Sequence, residues 1–442
     1  MENNLKKSMS FSKLLIYALI FMVPIAPFGI YGQIFNVSHG MVSLVYLIGF
    51  VGMLFTAISY GRMMQQFKKA GSIYEYAKQG LGETIGFFGG WVVLLDYFVI
   101  PSLLYIVASF AMNQLLPSVS VMTWAIIFII FNSFIAFLGL NYTDILNKIF
   151  LIGMLILIGT FAYFAIKGIS NHSFGNGFTI APFYKKDSFS IQMVFSAVSI
   201  AVMSFLGFDG VSTLSEEANE GTKYWYVPVV SLLVVVILFL IQVTLAAWAV
   251  PSDIIFKNNL DNAWYIVAKV VGGPLFSSIC AIATALSWGV TNALAAQTAV
   301  SRVLFSMGRD KMLPKILSKL HPKYQTPYIA IIFSSVVSLI LVYLFKNHLG
   351  MFIQFLNFGA LTGFLLLHVS VLSYFIFKKR ELLNIFTDII SPILGFIILG
   401  YIWISLDALA KELGGIWLII GIIVFFLNKY KGVKNNLSEE MI

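Results

Sequence analysis

Long apolar runs recur along the whole of this chain, and each is about as long as a bilayer core is thick. We count twelve, each of roughly 20 residues. They lie at 12–36, 42–66, 87–115, 121–140, 146–167, 189–215, 226–250, 274–301, 328–346, 351–377, 389–409 and 413–430. Only helices and closed β-barrels satisfy their backbone in lipid, and the alternating pattern of barrel strands is absent. The sequence therefore predicts an all-α membrane protein with about 12 transmembrane helices.

Composition agrees with one polytopic domain over residues 1–442. Charged residues make up 11% of the chain, whereas globular domains carry about 25%. Cys280 is the only cysteine, which excludes an intramolecular disulfide and a cysteine metal site. Lys6, Lys7 and Lys13 before the first apolar run resemble a signal peptide. Because prolines interrupt that run and no small-residue cleavage site follows, we interpret it as an uncleaved first span.

The distribution of lysine and arginine predicts the orientation. Twelve spans place both termini on one side of the membrane, and that side carries 21 of the 28 Lys and Arg residues, against 7 on the other. The positive-inside rule then puts both termini in the cytoplasm and explains the net charge of +9 without nucleic acid. The largest basic cluster, 301–327, is typical of a cytoplasmic loop, with binding of lipid headgroups as the alternative.

Two spans contain helix-breaking clusters at matching positions. The first reads MVPIAPFGIYG, 22–32, and the second reads SFLGFDGVSTLSEE, 204–217. Proline removes a donor and clashes with the preceding turn. Spans one and six each open one half if the fold is five helices, repeated in inverted orientation, plus two more. Broken helices at such positions indicate a transporter's binding site. An ordinary kink or packing contact is the alternative.

Carboxylates within the spans are candidates for function, because a charge at a helix centre costs about 2.5–3.5 kcal/mol on insertion scales. Asp96 lies within span three and Asp209 within the span-six break. Asp209 is either a substrate or coupling residue or a cap for the broken helix. Asp96 is either a pocket or gating residue or a buried partner of a neighbouring helix. Glu216 and Glu217 lie about 10 Å further along, near the interface.

The interior polar groups are acidic and aromatic, which favours a cationic or amine-bearing substrate. No Lys or Arg lies deep in a span; Lys148, near one end, can snorkel. Cation–π faces or apolar walls could come from Phe28, Tyr97, Phe205, Phe208 and Trp288, with helix packing as the alternative for each.

Other functional classes lack their motifs. No GxxxxGK[ST] loop is present, which argues against ATP hydrolysis, and no nucleophile elbow or triad suggests an enzyme. The five histidines show no metal spacing, and His368 is interpreted as a packed polar residue rather than a proton relay. A channel should show polar pore rings instead of two local breaks. We expect no cofactor and no metal.

Five segments together resemble the APC (amino acid–polyamine–organocation) superfamily, and most of all its bacterial putrescine importers. The segments are AISYGRMMQQFKKAGSIYEYAKQGLG (57–82), GWVVLLDY (90–97), SFLGFDGVSTLSEEA (204–218), SRVLFSMGRDKMLP (301–314) and LNFGALTGF (356–364). The resemblance implies the inverted five-helix repeat, here at about 12–167 and 189–377 with extra helices at about 389–430. It also implies alternating access, a midplane site between spans one, three, six and eight, and a bacterial plasma membrane.

The sequence departs from the superfamily's usual pattern at two positions. Amino acid members of the superfamily usually carry G-x-G in the first break, where amides receive the substrate carboxylate, but this chain reads PIAPFG. A lysine that replaces a sodium ion in some relatives is matched here by Met154. The first departure leaves amines favoured, and the second means that the lysine device is missing. Against a polyamine, the seven basic residues on the outer side, including Lys185 and Lys186, do not suggest an acidic vestibule.

The sequence-based hypothesis is a proton-coupled importer of a small amine such as putrescine. The alternative is an amino acid permease or an amino acid/amine exchanger. Asp96 and Asp209 are the candidate proton-coupling residues. The expected binding residues are Pro24, Ile25, Ala26, Pro27, Phe28, Gly29, Asp96, Tyr97, Phe205, Gly207, Phe208, Asp209, Gly210 and Trp288.

Overall fold

The computed structural model describes residues 9–67, 72–139, 144–251, 259–309, 313–379 and 384–430. These residues are almost entirely helical, and the described segments contain no β-strand, only an isolated bridge between Met9 and Ala218. Within them, eleven helices are long and apolar enough to cross a membrane. Span one comes in addition, because a break divides it into two shorter helices. The prediction of about 12 transmembrane helices is confirmed.

The first five spans begin with the broken one. Span one consists of α1, Phe11–Phe21, and α2, Pro27–Val37. Spans two to five follow as Val42–Gln66, Glu83–Leu115, Val121–Leu138 and Asp144–Ser170. A short helix, Ser72–Leu81, lies between spans two and three.

The next five spans also begin with a broken one. Span six consists of the α-helix Ile191–Ala201 and the 3₁₀ segments Val202–Phe205 and Phe208–Glu217. Span seven is Val227–Ala249, span nine is Tyr328–Phe345, and span ten is Leu349–Ser373, which continues as a π-helix, Tyr374–Lys379. Spans eleven and twelve contain the helices Ser391–Ile404 and Ala408–Tyr430.

Span eight differs from a plain helix in two ways. The helix Ala263–Leu286 is interrupted at Gly273, which has φ 80° and ψ 179°, so a short helix precedes the span proper, which starts at Pro274. The span then passes through a π-helix, Ser287–Asn292, before Ala293–Arg309. Such π segments occur often at functional sites.

The two breaks have different causes. In span one, Pro24 and Pro27 cannot donate backbone hydrogen bonds, and Val23 adopts φ 49°, a left-handed conformation that is rare for a β-branched residue. In span six, Gly207 adopts φ 116°, which favours glycine. A Cβ on Gly207 would also lie 2.9 Å from the carbonyl carbon of Phe21. The glycine therefore lets the two breaks approach each other closely.

Candidate functional site

The break in span one offers few free backbone amides. The amides of Met22 and Val23 donate to Ala18 and Ile20, at 3.0 and 3.2 Å. Past the break, Ala26 donates to Val23 at 2.7 Å, and the Phe28 and Gly29 amides donate to Ile25 and Ala26 at 3.0 and 3.2 Å. Pro24 and Pro27 have no amide hydrogen. Between Met22 and Gly29, the Ile25 amide alone is left without such a bond.

A side chain from span seven donates a hydrogen bond to the backbone of this break. The amide nitrogen of Gln242 donates to the Pro24 carbonyl at 2.9 Å and to Leu238 in its own helix at 2.8 Å. Gln242 is fully buried, and its amide oxygen has no partner among the residues that the structure describes. Sequence reasoning missed Gln242. The available signal was a single amide side chain within LFLIQVTL, since buried polar groups need partners.

The break in span six is occupied by its own carboxylate. The Gly207 amide donates to Asp209 Oδ1 at 3.2 Å, and the Gly210 amide donates to the Gly207 carbonyl at 3.2 Å. This bond holds the carboxylate at the start of the segment Phe208–Glu217, in agreement with the predicted capping role; the role in substrate binding or coupling stays a prediction. A capping carboxylate also fills the position that a substrate carboxylate would need. The side chains of Glu216 and Glu217 lie outside the described residues.

Asp96 lies close to Asp209 and faces span ten. A Cβ on Gly359 of span ten would lie 2.6 Å from Asp96 Oδ1, so this glycine makes room for the carboxylate. That oxygen is buried and has no hydrogen-bond partner in the described segments, although Asp96 as a whole is partly exposed. Asp96 and Asp209 are near enough to interact electrostatically. Neither carboxylate forms a salt bridge with any part of the chain that the structure covers.

Tyrosine and tryptophan side chains lie around the two carboxylates and the first break. Tyr60 and Tyr97 lie near enough to Asp209 to interact with it electrostatically, and the Tyr60 hydroxyl pairs with that of Ser72 at 3.2 Å. Trp288, in the π segment of span eight, is buried and packs on the first break: a Cβ on Gly29 would lie 3.3 Å from its ring and 2.5 Å from Val107 Cγ1. The indole nitrogen of Trp288 has no partner in the described chain.

The rings of three expected binding residues pack on other aromatic side chains. Phe205 contacts Tyr46 and Phe239 of spans two and seven, with ring centroids 5.9 and 5.5 Å apart. Phe208 packs on Tyr60 and Phe364, at 5.7 and 5.8 Å.

Phe28 stacks on Trp264 of the short helix before span eight, with ring centroids 4.1 Å apart. These three rings therefore anchor the broken segments to their surroundings, and Phe28 helps to seal the first break on the side of Trp264.

An aromatic layer seals the breaks on the side of α2 and Trp264. Phe28, Tyr31, Phe35 and Trp264 are each about 1% exposed. Beside them, Gly32 packs on the Leu260 carbonyl, with no room for a Cβ. The Gln33 amide nitrogen donates to Asp261 Oδ1 at 2.6 Å. Neither Gln33 nor Asp261 was identified from the sequence, since 228 residues separate them along the chain.

His368 lies apart from the breaks. It is fully buried, and its ring nitrogens pair with the hydroxyls of Thr56 and Ser59 at 3.2 and 3.0 Å. Gly395 packs directly on its ring. This geometry agrees with the interpretation of a packed polar residue.

The chemistry of the site suits a cation. Two carboxylates lie between spans three, six and ten, while the breaks at 22–32 and 204–212 contain no lysine or arginine. No group of three or more His, Cys, Asp or Glu residues in the described chain could hold a metal ion. The site is therefore suited to hold a positively charged organic group or a proton.

Comparison with known proteins gives a family match and several relatives. The model of the amino acid permease family matches residues 8–440. The low-affinity putrescine importer PlaP of Escherichia coli (strain K12) is 28% identical over 433 residues, covering 95% of this chain and 93% of the relative. The branched-chain amino acid permease BcaP of Bacillus subtilis (strain 168) is 25% identical, covering 89% and 87%. The methylthioribose transporter of Bacillus subtilis (strain 168) is 25% identical, covering 85% and 83%.

Proposed function

The chain belongs to the amino acid permease family, and from this membership we propose that it is a secondary active transporter that imports a small organic amine with proton coupling. Putrescine or a similar polyamine is the substrate class that we favour. The similarity to a putrescine importer over 95% of the chain supports this choice.

The state of the two breaks is the observation that carries the proposal. An amino acid substrate needs donors for its carboxylate, and helix N-termini are the usual source. Here the amides from Met22 to Gly29 are bonded or replaced by proline, except that of Ile25, and Asp209 itself accepts the Gly207 amide. A substrate carboxylate would meet few free donors and two carboxylates. A substrate ammonium would meet two acceptors without a counter-ion.

We assign each part of the site a role in this function. Asp96 and Asp209 balance the substrate's charge and carry the coupled proton. Tyr97 and Trp288 shape the pocket. The backbone of Pro24–Gly29 and of Phe205–Gly210 forms its walls.

Alternating access would move the inner halves of the two broken spans together. The Asn219 amide, just after span six, donates to the Met9 carbonyl before α1 at 2.9 Å. Gly207 packs against Phe21 at the break. These contacts at both ends of α1 support motion of α1 and Phe208–Glu217 as one unit, with the breaks as hinges.

Uptake of radiolabelled putrescine into proteoliposomes with an imposed pH gradient tests this proposal. We expect gradient-dependent uptake that other amines compete and amino acids do not. Absence of putrescine uptake would reject it.

The second candidate function is transport or exchange of amino acids. It is favoured by the 25% identity to a branched-chain amino acid permease over 89% of the chain. Uptake competed by leucine, but not by diamines, would establish it, and the Ile25 amide would then be the donor to test.

A further inference from the structure

A crevice opens on the outer side of the molecule, beyond the sealed aromatic layer. Its volume is about 460 Å³, within the range of about 300–1,000 Å³ that ligand pockets occupy. Its polar lining consists of Gln33, Asn259, Asp261, Asn347 and His348. The crevice therefore lies directly above the contact between α2 and the segment before span eight.

The charge of this crevice differs from that of the outer surface as a whole. Asp261 is the only Asp, Glu, Lys or Arg among the lining residues that the structure describes. Lys346 precedes Asn347, but its ammonium lies over the Tyr343 ring, 5.6 Å from the centroid. The Lys185 ammonium donates to the His39 carbonyl at 2.7 Å. These two basic side chains are thus engaged outside the crevice, and the described lining presents a carboxylate.

The same carboxylate closes the outer side. Gln33 of α2 donates to Asp261 Oδ1 at 2.6 Å, and Gly32 packs on the neighbouring Leu260 carbonyl. For a substrate to pass, α2 and residues 260–263 must separate, and this hydrogen bond must break. Gln33 supplies a neutral donor, whereas an ammonium would supply a charged one, which adds the attraction between opposite charges to the hydrogen bond with Asp261.

We propose that this crevice is an entry site for an organic ammonium, in which the ligand replaces Gln33 on Asp261 and thereby favours opening of the outer side. The amine class rests on the proposed function; the geometry does not. A ligand shifts a conformational equilibrium only by its difference in affinity for the two states. That difference exists here, because Asp261 Oδ1 is occupied by Gln33 when the outer side is closed and is free when it is open.

The experiment measures the opening of the outer side directly and does not depend on transport. The background is Cys280→Ala with Ala263→Cys, because Ala263 is buried against Gly32 in the closed state. The rate of labelling by a membrane-impermeant maleimide is measured in proteoliposomes with putrescine, with uncharged butane-1,4-diol, or without ligand. We expect putrescine to raise the rate about fivefold, at the low end of coupling between sites, and the diol to leave it unchanged.

Two variants and a matched control give the test its specificity. Asp261→Asn keeps the size of the side chain and its bond to Gln33 but removes the charge, so the response to putrescine should be lost. Gln33→Met removes the donor alone, so labelling should be fast without any amine. Asp187→Asn removes another exposed carboxylate in the loop between spans five and six, outside the crevice, and should respond like the parent.

The outcomes separate this inference from the proposed function. A putrescine response that persists in Asp261→Asn, or a parent that does not respond, overturns the entry site. Slow labelling of Gln33→Met in the absence of amine also contradicts it. A response that depends on Asp261, in a protein that takes up no putrescine, rejects the proposed function and leaves the entry site in place.

Discussion

Asp209 combines a negative charge with an acceptor for the Gly207 amide, and one substitution separates the two. Asp209→Asn keeps an oxygen for the cap and removes the charge. If the charge serves the substrate or the proton, uptake should fall at least about tenfold, which corresponds to about 1.4 kcal/mol, while thermal stability changes little.

Asp209→Ala provides the comparison, because it also removes the cap. We expect that variant to lose about 1 kcal/mol of stability in addition. Uptake and thermal unfolding of both variants, at matched expression, distinguish the roles. Normal uptake by Asp209→Asn would show that Asp209 acts only as a cap.

Gly29 is the point where spans one, three and eight meet. A Cβ there would lie 2.5 Å from Val107 Cγ1 and 3.3 Å from the Trp288 ring. Gly29→Ala should therefore cost about 1–3 kcal/mol from overpacking and reduce uptake. Val107→Ala removes the closest atom, so the double variant should recover part of both losses.

Gly153→Ala in span five is the control, because no atom lies within 4 Å of a Cβ at that position. Thermal unfolding and uptake of the four variants test the packing. If the single and double variants behave alike, the contact between Gly29 and Val107 does not limit the site.

Among the elements, span seven acts on the first break through a single side chain. Gln242→Met keeps the length of the side chain but leaves the Pro24 carbonyl without its donor, which should cost about 1–3 kcal/mol and impair uptake. Ser231→Ala is the matched control in the same span, since its hydroxyl bonds only within its own helix, to Pro228 at 3.0 Å. Unimpaired uptake by Gln242→Met would exclude a role for this bond in transport.

The sequence predicted the elements well where a physical rule acts locally. Apolar length gave the spans, and Pro24, Pro27 and Gly207 marked the two breaks. The π segment around Trp288 and the short helix before Pro274 were not predicted. In the first, the side chains of Thr291 and Asn292 donate to the Ser287 carbonyl at 2.8 and 2.9 Å; the second has a glycine conformation at Gly273. Neither leaves a periodic signal.

Across the whole molecule, the predicted site residues differ in which contacts determine their positions. The structure places Asp96 and Tyr97 near enough to Asp209 to interact with it electrostatically; they were selected by residue type within apolar spans, and their roles stay predictions. Phe28, Phe205 and Phe208 were selected by proximity to a break, but the side on which an aromatic ring packs depends on neighbouring spans. Pairs such as Gln33 and Asp261 join distant parts of the chain, so no local pattern reveals them.

Orientation in the membrane is a property of the whole chain, and the positive-inside rule predicts it from 21 against 7 basic residues. Cysteines are placed in the Cys280→Ala background at Ser173, in the loop between spans five and six, and at Lys319, between spans eight and nine; both sites are exposed. In intact cells, a membrane-impermeant maleimide should label position 173 and spare position 319, and permeabilised cells should show labelling at both. The reverse pattern in intact cells would place the termini outside and make the crevice at Asp261 an exit instead of an entrance.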